Sequence, residues 1–247
     1  MIKIFEDIGL YFILLSRVLK KPDNYKLLFK QTIHEMVSLG IGSLGLIAVI
    51  SVFMGAVVTL QTFTNMNNPL LPRYLVGFAT RESFILELAP TVMSLILAGK
   101  IGSNVASEIG TMRITDQIDA LEIMGVNSAS YLVFPKIIAS VIFIPIIVIY
   151  SMALGILGGL LVSFYFEGMT VDDYITGIRY DFRVFSITYA LIKSVFFAFI
   201  ITSIPSFFGY FVRGGALEIG KASTKSVVYS SILILIVNYF ITQLLLI

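Results

Sequence analysis

Residues 106–125 read ASEIGTMRITDQIDALEIMG, a charged, glycine-punctuated island between two apolar stretches of membrane length. Glu108, Arg113, Asp116, Asp119 and Glu122 cannot sit unpartnered in hydrocarbon. The island predicts a short helix outside the bilayer, offered to a partner on one side. Thr115 is the expected N-cap, since its hydroxyl can accept from an orphan amide. Asp116 and Asp119 then occupy the first turn, where the helix dipole favours negative charge. Gly125 can take the left-handed conformation that ends a helix. The nine residues 116–124 would make about 13 Å of helix. Ile114, Ile118, Leu121 and Met124 share one face, with Gln117, Asp119 and Glu122 around the rest. Two readings follow: a solvated connector resting on headgroups, or a helix held in a protein groove. Acids outnumber bases here, and an anionic cytoplasmic leaflet would repel them, which favours the groove.

Around the island the chain is greasy. Of its 247 residues 57% are hydrophobic and 13% charged, about half the charged fraction of a soluble domain. Water-soluble folding would leave large apolar patches bare, so the composition implies an integral membrane protein. The net charge of +2 gives no basis for nucleic-acid binding. Cysteine is absent, which excludes disulfides and thiolate metal sites, and the lone histidine, His34, excludes a histidine cluster. No cofactor or metal is expected. Tryptophan is absent, leaving Tyr and Phe for any interfacial belt.

Near the N-terminus, Ile2, Phe5, Ile8, Phe12, Leu15 and Leu19 recur at helical spacing beside Arg17, Lys20 and Lys21. This predicts an amphipathic helix in the membrane surface rather than a cleaved signal, because Glu6 and Asp7 interrupt any apolar core. Pro22-Asp23 is a break, and 24–38 is a second amphipathic stretch with Lys26, Lys30, His34 and Glu35. Five segments then reach the roughly 20 residues a membrane crossing needs: 39–63, 84–106, 131–166, 185–212 and 227–247. Asn65, Asn67, Asn68, Pro69 and Pro72 mark the first loop. The third segment is too long for one straight crossing, so it must tilt, kink at Pro135 or Pro145, or begin outside the bilayer. The expected organisation is 1–38 interfacial and 39–247 a five-span body, with a coupling helix at about 108–125. A polar segment at about 167–183, with Asp172, Asp173, Arg179, Asp181 and Arg183, is expected on the outer side.

Lysine and arginine set the orientation. Twelve (Lys3, Arg17, Lys20, Lys21, Lys26, Lys30, Lys100, Arg113, Lys136, Arg213, Lys221, Lys225) fall on the side of the N-terminus and island. Five (Arg73, Arg81, Arg179, Arg183, Lys193) fall on the other or in a span. The N-terminus and island are therefore expected in the cytoplasm.

Ser94, Ala98, Gly102, Ala106 and Gly110 repeat every fourth residue, a row that lets another helix backbone approach closely. It serves either packing within the chain or a seam between subunits. Gly155 and Gly159 form a weaker pair of the same kind.

With these residues in view, a resemblance becomes specific. Glu87-Leu88-Ala89-Pro90, then Leu97-Ala98-Gly99-Lys100-Ile101-Gly102-Ser103, then the island through Val126, resemble the signature of MlaE-type permeases. The similarity continues at Pro135-Lys136, Gly209-Tyr210-Phe211 and from Gly214-Gly215-Ala216 through Gly220-Lys221-Ala222-Ser223-Thr224, so it covers most of the chain. These permeases are membrane subunits of ABC systems that move lipid in concert with MCE proteins. The resemblance implies an all-α inner-membrane homodimer of five-span subunits, each with an interfacial N-terminal helix. It implies cytoplasmic ATPase subunits docked on the island, through Glu108, Arg113, Asp116, Gln117, Asp119, Leu121 and Glu122. It implies an MCE assembly on the outer face and phospholipid between protomers, near Glu87, Gln61 and Leu60. Two departures bear on Glu87: Leu86 stands where many relatives carry Arg, and Ala89 replaces Gly. They leave open which group, if any, pairs with Glu87. Lys100 also stands where Arg is usual.

Glu87 either lines a lipid cavity or caps its helix at the headgroups, and Gln61 either borders the pocket or marks the membrane boundary. Gly215 through Gly220-Lys221 matches a phosphate-cradling spacing, but Ala222 lacks the magnesium-binding hydroxyl and no strand precedes it. It reads as a cytoplasmic turn with Lys221 and Lys225 at headgroups, so the chain is not expected to hydrolyse ATP. A secondary transporter would need more buried charge than Glu87 and Lys193 offer. A permease for another hydrophobic substrate such as a sterol, or a non-transporting scaffold, remains as the alternative.

Overall fold

The computed structural model describes residues 2–20, 25–66, 71–166 and 168–246. Lys21, Pro22, Asp23, Asn24, Asn67, Asn68, Pro69 and Glu167 lie outside the described residues, as do the side chains of Ile2 and Lys3. Among the described residues the chain is helical, with no strand. In order, the helices are α1 (Ile2–Val18), α2 (Tyr25–Asn65), α3 (Tyr74–Ile114), α4 (Gln117–Ile123), α5 (Ser128–Tyr165), α6 (Val171–Arg179), α7 (Val184–Tyr210) and α8 (Ala216–Leu246). Helices α2, α3, α5, α7 and α8 are long and apolar enough to cross a membrane, so the five-span expectation holds.

The helices run further than their apolar cores. From Tyr25 onward the second amphipathic stretch and the first span form one helix, joined by a wide π-type turn over Met36–Ile41. The second span begins at Tyr74, ten residues before its apolar run, because Arg81 finds its partners inside the protein. The third is one 38-residue helix with Pro135 and Pro145 inside it. The last starts at Ala216, which places Gly220 and Lys221 in a helix rather than a turn. The turn itself is confined to the residues just before, where Gly214 takes φ +114°, a backbone setting side chains disfavour.

Two compact units make up the chain. The first comprises Met1–Gly42, Ser94–Ile144 and Val195–Ile247. Here the small-residue row of α3 is buried at all five positions. Gly209 of α7 lies against the backbone of Ala106 and Gly110, Gly102 faces Pro205, and Gly110 faces Val212 and Ile219. The row is thus filled by this chain's own helices. Atom pairs in van der Waals contact contribute only about 0.1–0.2 kcal/mol each, so helices in lipid depend on many such contacts at close range. Helix α1 packs Leu14 and Val18 inward, and Tyr11 donates to Ser203 Oγ at 2.9 Å. Phe5, Ile8 and Phe12 stay exposed on the same helix, as does Leu19 just beyond its end.

The second unit comprises Ser43–Met93 and Pro145–Ser194. Gly55 meets Gly155, Gly158 meets the Val52 backbone, and Gly159 leaves room for Tyr174 and Thr59. Ser51 donates to Ser151 Oγ at 2.8 Å in the same seam. Helix α6 starts on a capping box in which Thr170 and Asp173 satisfy each other's amides. It packs on the start of α3 through Gly77 and Gly177. Arg81, 1% exposed, donates to the carbonyls of Ile178 (2.6 Å) and Tyr180 (2.8 Å) and pairs with Glu82 at 2.6 Å. The arginine thereby ties down the carbonyls at the end of α6.

A leucine at Gly158 must displace the Val52 backbone. Gly158→Leu should cost about 3 kcal/mol and lower the melting temperature in detergent, whereas Gly45→Leu, where nothing lies within 4 Å, should leave it unchanged. Burial pushes the Tyr174 hydroxyl from 10.0 up to about 12, a bond with Thr59 opposing. A raised acid stabilises the fold fully below its unfolded value and loses that contribution as pH rises through the folded one. Melting temperature should therefore fall between pH 10 and 12, and Tyr174→Phe should flatten that fall.

Candidate functional site

Within the second unit, residues Phe84–Val92 of α3 form a π-type turn containing Pro90. Pro90 has no N–H to return to the Leu86 carbonyl four residues back. Lys193 Nζ of α7 reaches that oxygen at 3.4 Å and binds Glu87 Oε1 at 2.6 Å. Tyr189 donates to Glu87 Oε1 at 3.4 Å, Thr91 donates to Oε2 at 3.2 Å, and the Lys193 ammonium lies 4.3 Å from the Tyr189 ring centre. The pair is asymmetric: Lys193 is 0% exposed and Glu87 42%. A sealed cation thus holds a carboxylate that still presents an edge. Glu87 is the fourteenth residue of α3 (counting from Tyr74) rather than in its first turns.

Lys193 is the residue the sequence reading missed as a partner. It stands 106 positions from Glu87 and not where the family arginine would lie. Two opposite charges isolated in separate apolar spans were the available signal, since such charges pair within the protein.

Leu60 lines an apolar groove of ≈ 400 Å³ with Val52, Ala56, Gly158, Leu161 and Tyr165. Gln61 is exposed, and neither it nor Glu87 lines that groove. Of the three residues that the resemblance associates with lipid, Leu60 alone lines this groove.

In the first unit the island divides. Helix α3 continues to Ile114, carrying Glu108 and Arg113 on its end. Thr115 does not cap α4, because its hydroxyl bonds back to the Thr111 carbonyl at 2.8 Å. Asp116 is the N-cap, with φ 59° and ψ 13°, a left-handed setting that a short acid tolerates. Helix α4 is accordingly seven residues, shorter than its sequence suggests. Gly125 ends it at φ +77°.

The charges of the island are largely engaged within the chain. Arg113 pairs with Asp119 at 2.6 Å. Glu122 Oε1 accepts from Ser128 (3.0 Å) and from Tyr210 (2.9 Å), which pins α4 to the start of α5 and the end of α7. Glu108 and Glu35 both bind Lys136 at 2.7 Å, and Lys136 is 2% exposed. Ile118 is buried, whereas Ile123 and Met124 are 88% and 68% exposed. The apolar face expected through Ile114, Ile118, Leu121 and Met124 is therefore split between core and exterior. Asp116 and Gln117 are exposed beside the turn.

The family model described as Permease MlaE matches residues 32–244. A probable ABC transporter permease protein of Rickettsia bellii is 35% identical over 247 residues, covering 98% of this chain and 93% of the relative. The intermembrane phospholipid transport system permease protein MlaE of Haemophilus influenzae is 31% identical over 234 residues, covering 94% and 89%. The chloroplastic protein TRIGALACTOSYLDIACYLGLYCEROL 1 of Arabidopsis thaliana is 29% identical over 218 residues, covering 88% and 62%. These similarities run through the spans, the Glu87 turn and the α3–α4 elbow alike. The chain belongs to the MlaE permease family: it is a multi-pass inner-membrane permease subunit of an ABC transporter, not an enzyme.

Proposed function

We propose that this permease moves phospholipid between the inner and outer membranes, powered by separate cytoplasmic ATPase subunits and working with an MCE protein on the outer face. The observation that carries the lipid assignment is the Lys193–Glu87 pair. A lysine with no exposed surface fixes a half-exposed carboxylate inside otherwise apolar spans. That arrangement offers one polar edge to a headgroup while the surrounding wall stays compatible with acyl chains. The relative from Haemophilus influenzae, whose name specifies phospholipid transport, supports the same substrate class.

The cytoplasmic N-terminus rests on the lysine and arginine distribution. Residues 1–38 then lie at the interface, with the exposed Phe5, Ile8 and Phe12 in the leaflet, and 39–247 form the spanning body. Helix α4 is the coupling element, its bare Ile123 and Met124 entering the ATPase. Among the five spanning helices α8 is the least covered, with 11% of its most apolar window buried, which supports a second protomer there. Gln61 and Leu60 are assigned to the lipid path. Within the island, Glu108, Arg113, Asp119 and Glu122 hold the coupling element in place, while Asp116, Gln117 and Leu121 accompany the two knobs.

Two outcomes test this. Ile123→Ser with Met124→Ser should abolish co-purification of the ATPase encoded with this chain and leave the permease folded, since neither side chain supports the core. Undiminished co-purification would refute the coupling role. Glu87→Ala leaves Lys193 buried without its carboxylate, at about 3 kcal/mol. Glu87→Gln with Lys193→Met should restore the lost stability but not lipid transfer between reconstituted vesicles. Wild-type transfer by that double variant would refute the role of Glu87.

A further inference from the structure

In the first unit, α1, α7 and α8 enclose a hollow of ≈ 340 Å³ walled by Tyr11, Ile204, Phe207, Phe208, Tyr229 and Leu233. That volume lies at the small end of pockets that hold organic ligands, about 300–1,000 Å³. Its aromatic wall is tied together by ring contacts: edge-on from Tyr11 to Phe207 at 5.8 Å and from Phe207 to Phe208 at 5.4 Å, and tilted from Phe208 to Tyr229 at 5.4 Å. Tyr229 and Ile232 are themselves half-exposed, so the hollow opens sideways along α8.

Asp7 and Lys225 line this hollow and also a neighbouring one of ≈ 210 Å³, to which Arg213, Glu218 and Lys221 contribute. The second hollow is the polar mouth of the first. Glu218 is engaged by Lys221 at 2.6 Å. That leaves Arg213 and Lys225 against Asp7, a surplus of one positive charge. An apolar slot alone would accept any acyl chain; a slot continuous with a mouth of this charge selects a chain attached to a single anionic group.

We propose that this groove is a binding site for one monoanionic glycerophospholipid drawn from the surrounding leaflet. Its phosphate lies between Arg213 and Lys225, and an acyl chain fills the aromatic hollow. The site clasps α1 to α7 and α8 and shares no residue with the Glu87 cluster or the Leu60 groove. It depends on α7 and α8 spanning a bilayer, not on lipid transport, and its test has no transport readout.

The test places the protein in phosphatidylcholine nanodiscs carrying a diazirine-acyl probe in one of three forms: phosphatidylglycerol, phosphatidylcholine or diacylglycerol. After illumination, labelled peptides are mapped by mass spectrometry. Phosphatidylglycerol should label peptides containing Tyr11, Phe208 and Tyr229 at least about fivefold above the other two probes, as expected when surface cations recruit an anionic headgroup. Arg213→Gln with Lys225→Gln should reduce that labelling to the diacylglycerol level, and Lys225→Arg should retain it. Excess inorganic phosphate should not compete. Equal labelling by diacylglycerol or phosphatidylcholine, full labelling of the double glutamine variant, or displacement by free phosphate would each overturn the proposal.

Discussion

A charge withdrawn from water must be matched where it lies, and this requirement governs how these helices are joined. Among the described residues three cations are almost wholly buried: Arg81, Lys136 and Lys193. Each is held by oxygens from at least one helix other than its own. Arg81 gathers the carbonyls at the end of α6, Lys136 gathers Glu35 of α2 and Glu108 of α3, and Lys193 gathers Glu87 and the Leu86 carbonyl of α3. Apolar side chains cannot distinguish one greasy neighbour from another, because lipid tails are as apolar as they are. Polar clasps of this kind set which helix meets which, and glycine seams such as Gly55 on Gly155 then bring the backbones close.

The same requirement shapes the working parts. The proposed coupling role calls for an element that is rigid toward its own body and exposed on its other side. Helix α4 has both properties, through Glu122 bound by Ser128 and Tyr210 on one side and Ile123 and Met124 bare on the other. Asp119 and Glu122, which look like docking charges in the sequence, also bond within the chain. On the proposed lipid path, polarity comes from Glu87, which Lys193 fixes from a fully buried position.

The number and type of spans were legible from apolar runs, because hydrocarbon leaves few alternatives to helix. Their ends were not. Arg81 and Glu82 look like loop residues until the carbonyls of Ile178 and Tyr180, about a hundred positions away, are seen to accept from the arginine. The small-residue row was legible as a close-packing face, but only the structure identifies its occupants as Gly209, Pro205 and Ile219. Glu87 stood out as a lone acid in an apolar segment, yet its partner comes from another helix and is invisible to local patterning. Thr115 and Asp116 both qualify as caps by residue type, and the choice fell to the backbone, which turns left-handed at the acid.

The central claim is that α4 lies on the cytoplasmic side, where a motor can reach it. The chain contains no cysteine, so a single thiol at the exposed position of Met124 reports on that side without background. A membrane-impermeant maleimide should leave Met124→Cys unlabelled in intact cells and label it in inside-out vesicles. Labelling in intact cells would place α4 on the exterior and contradict the account.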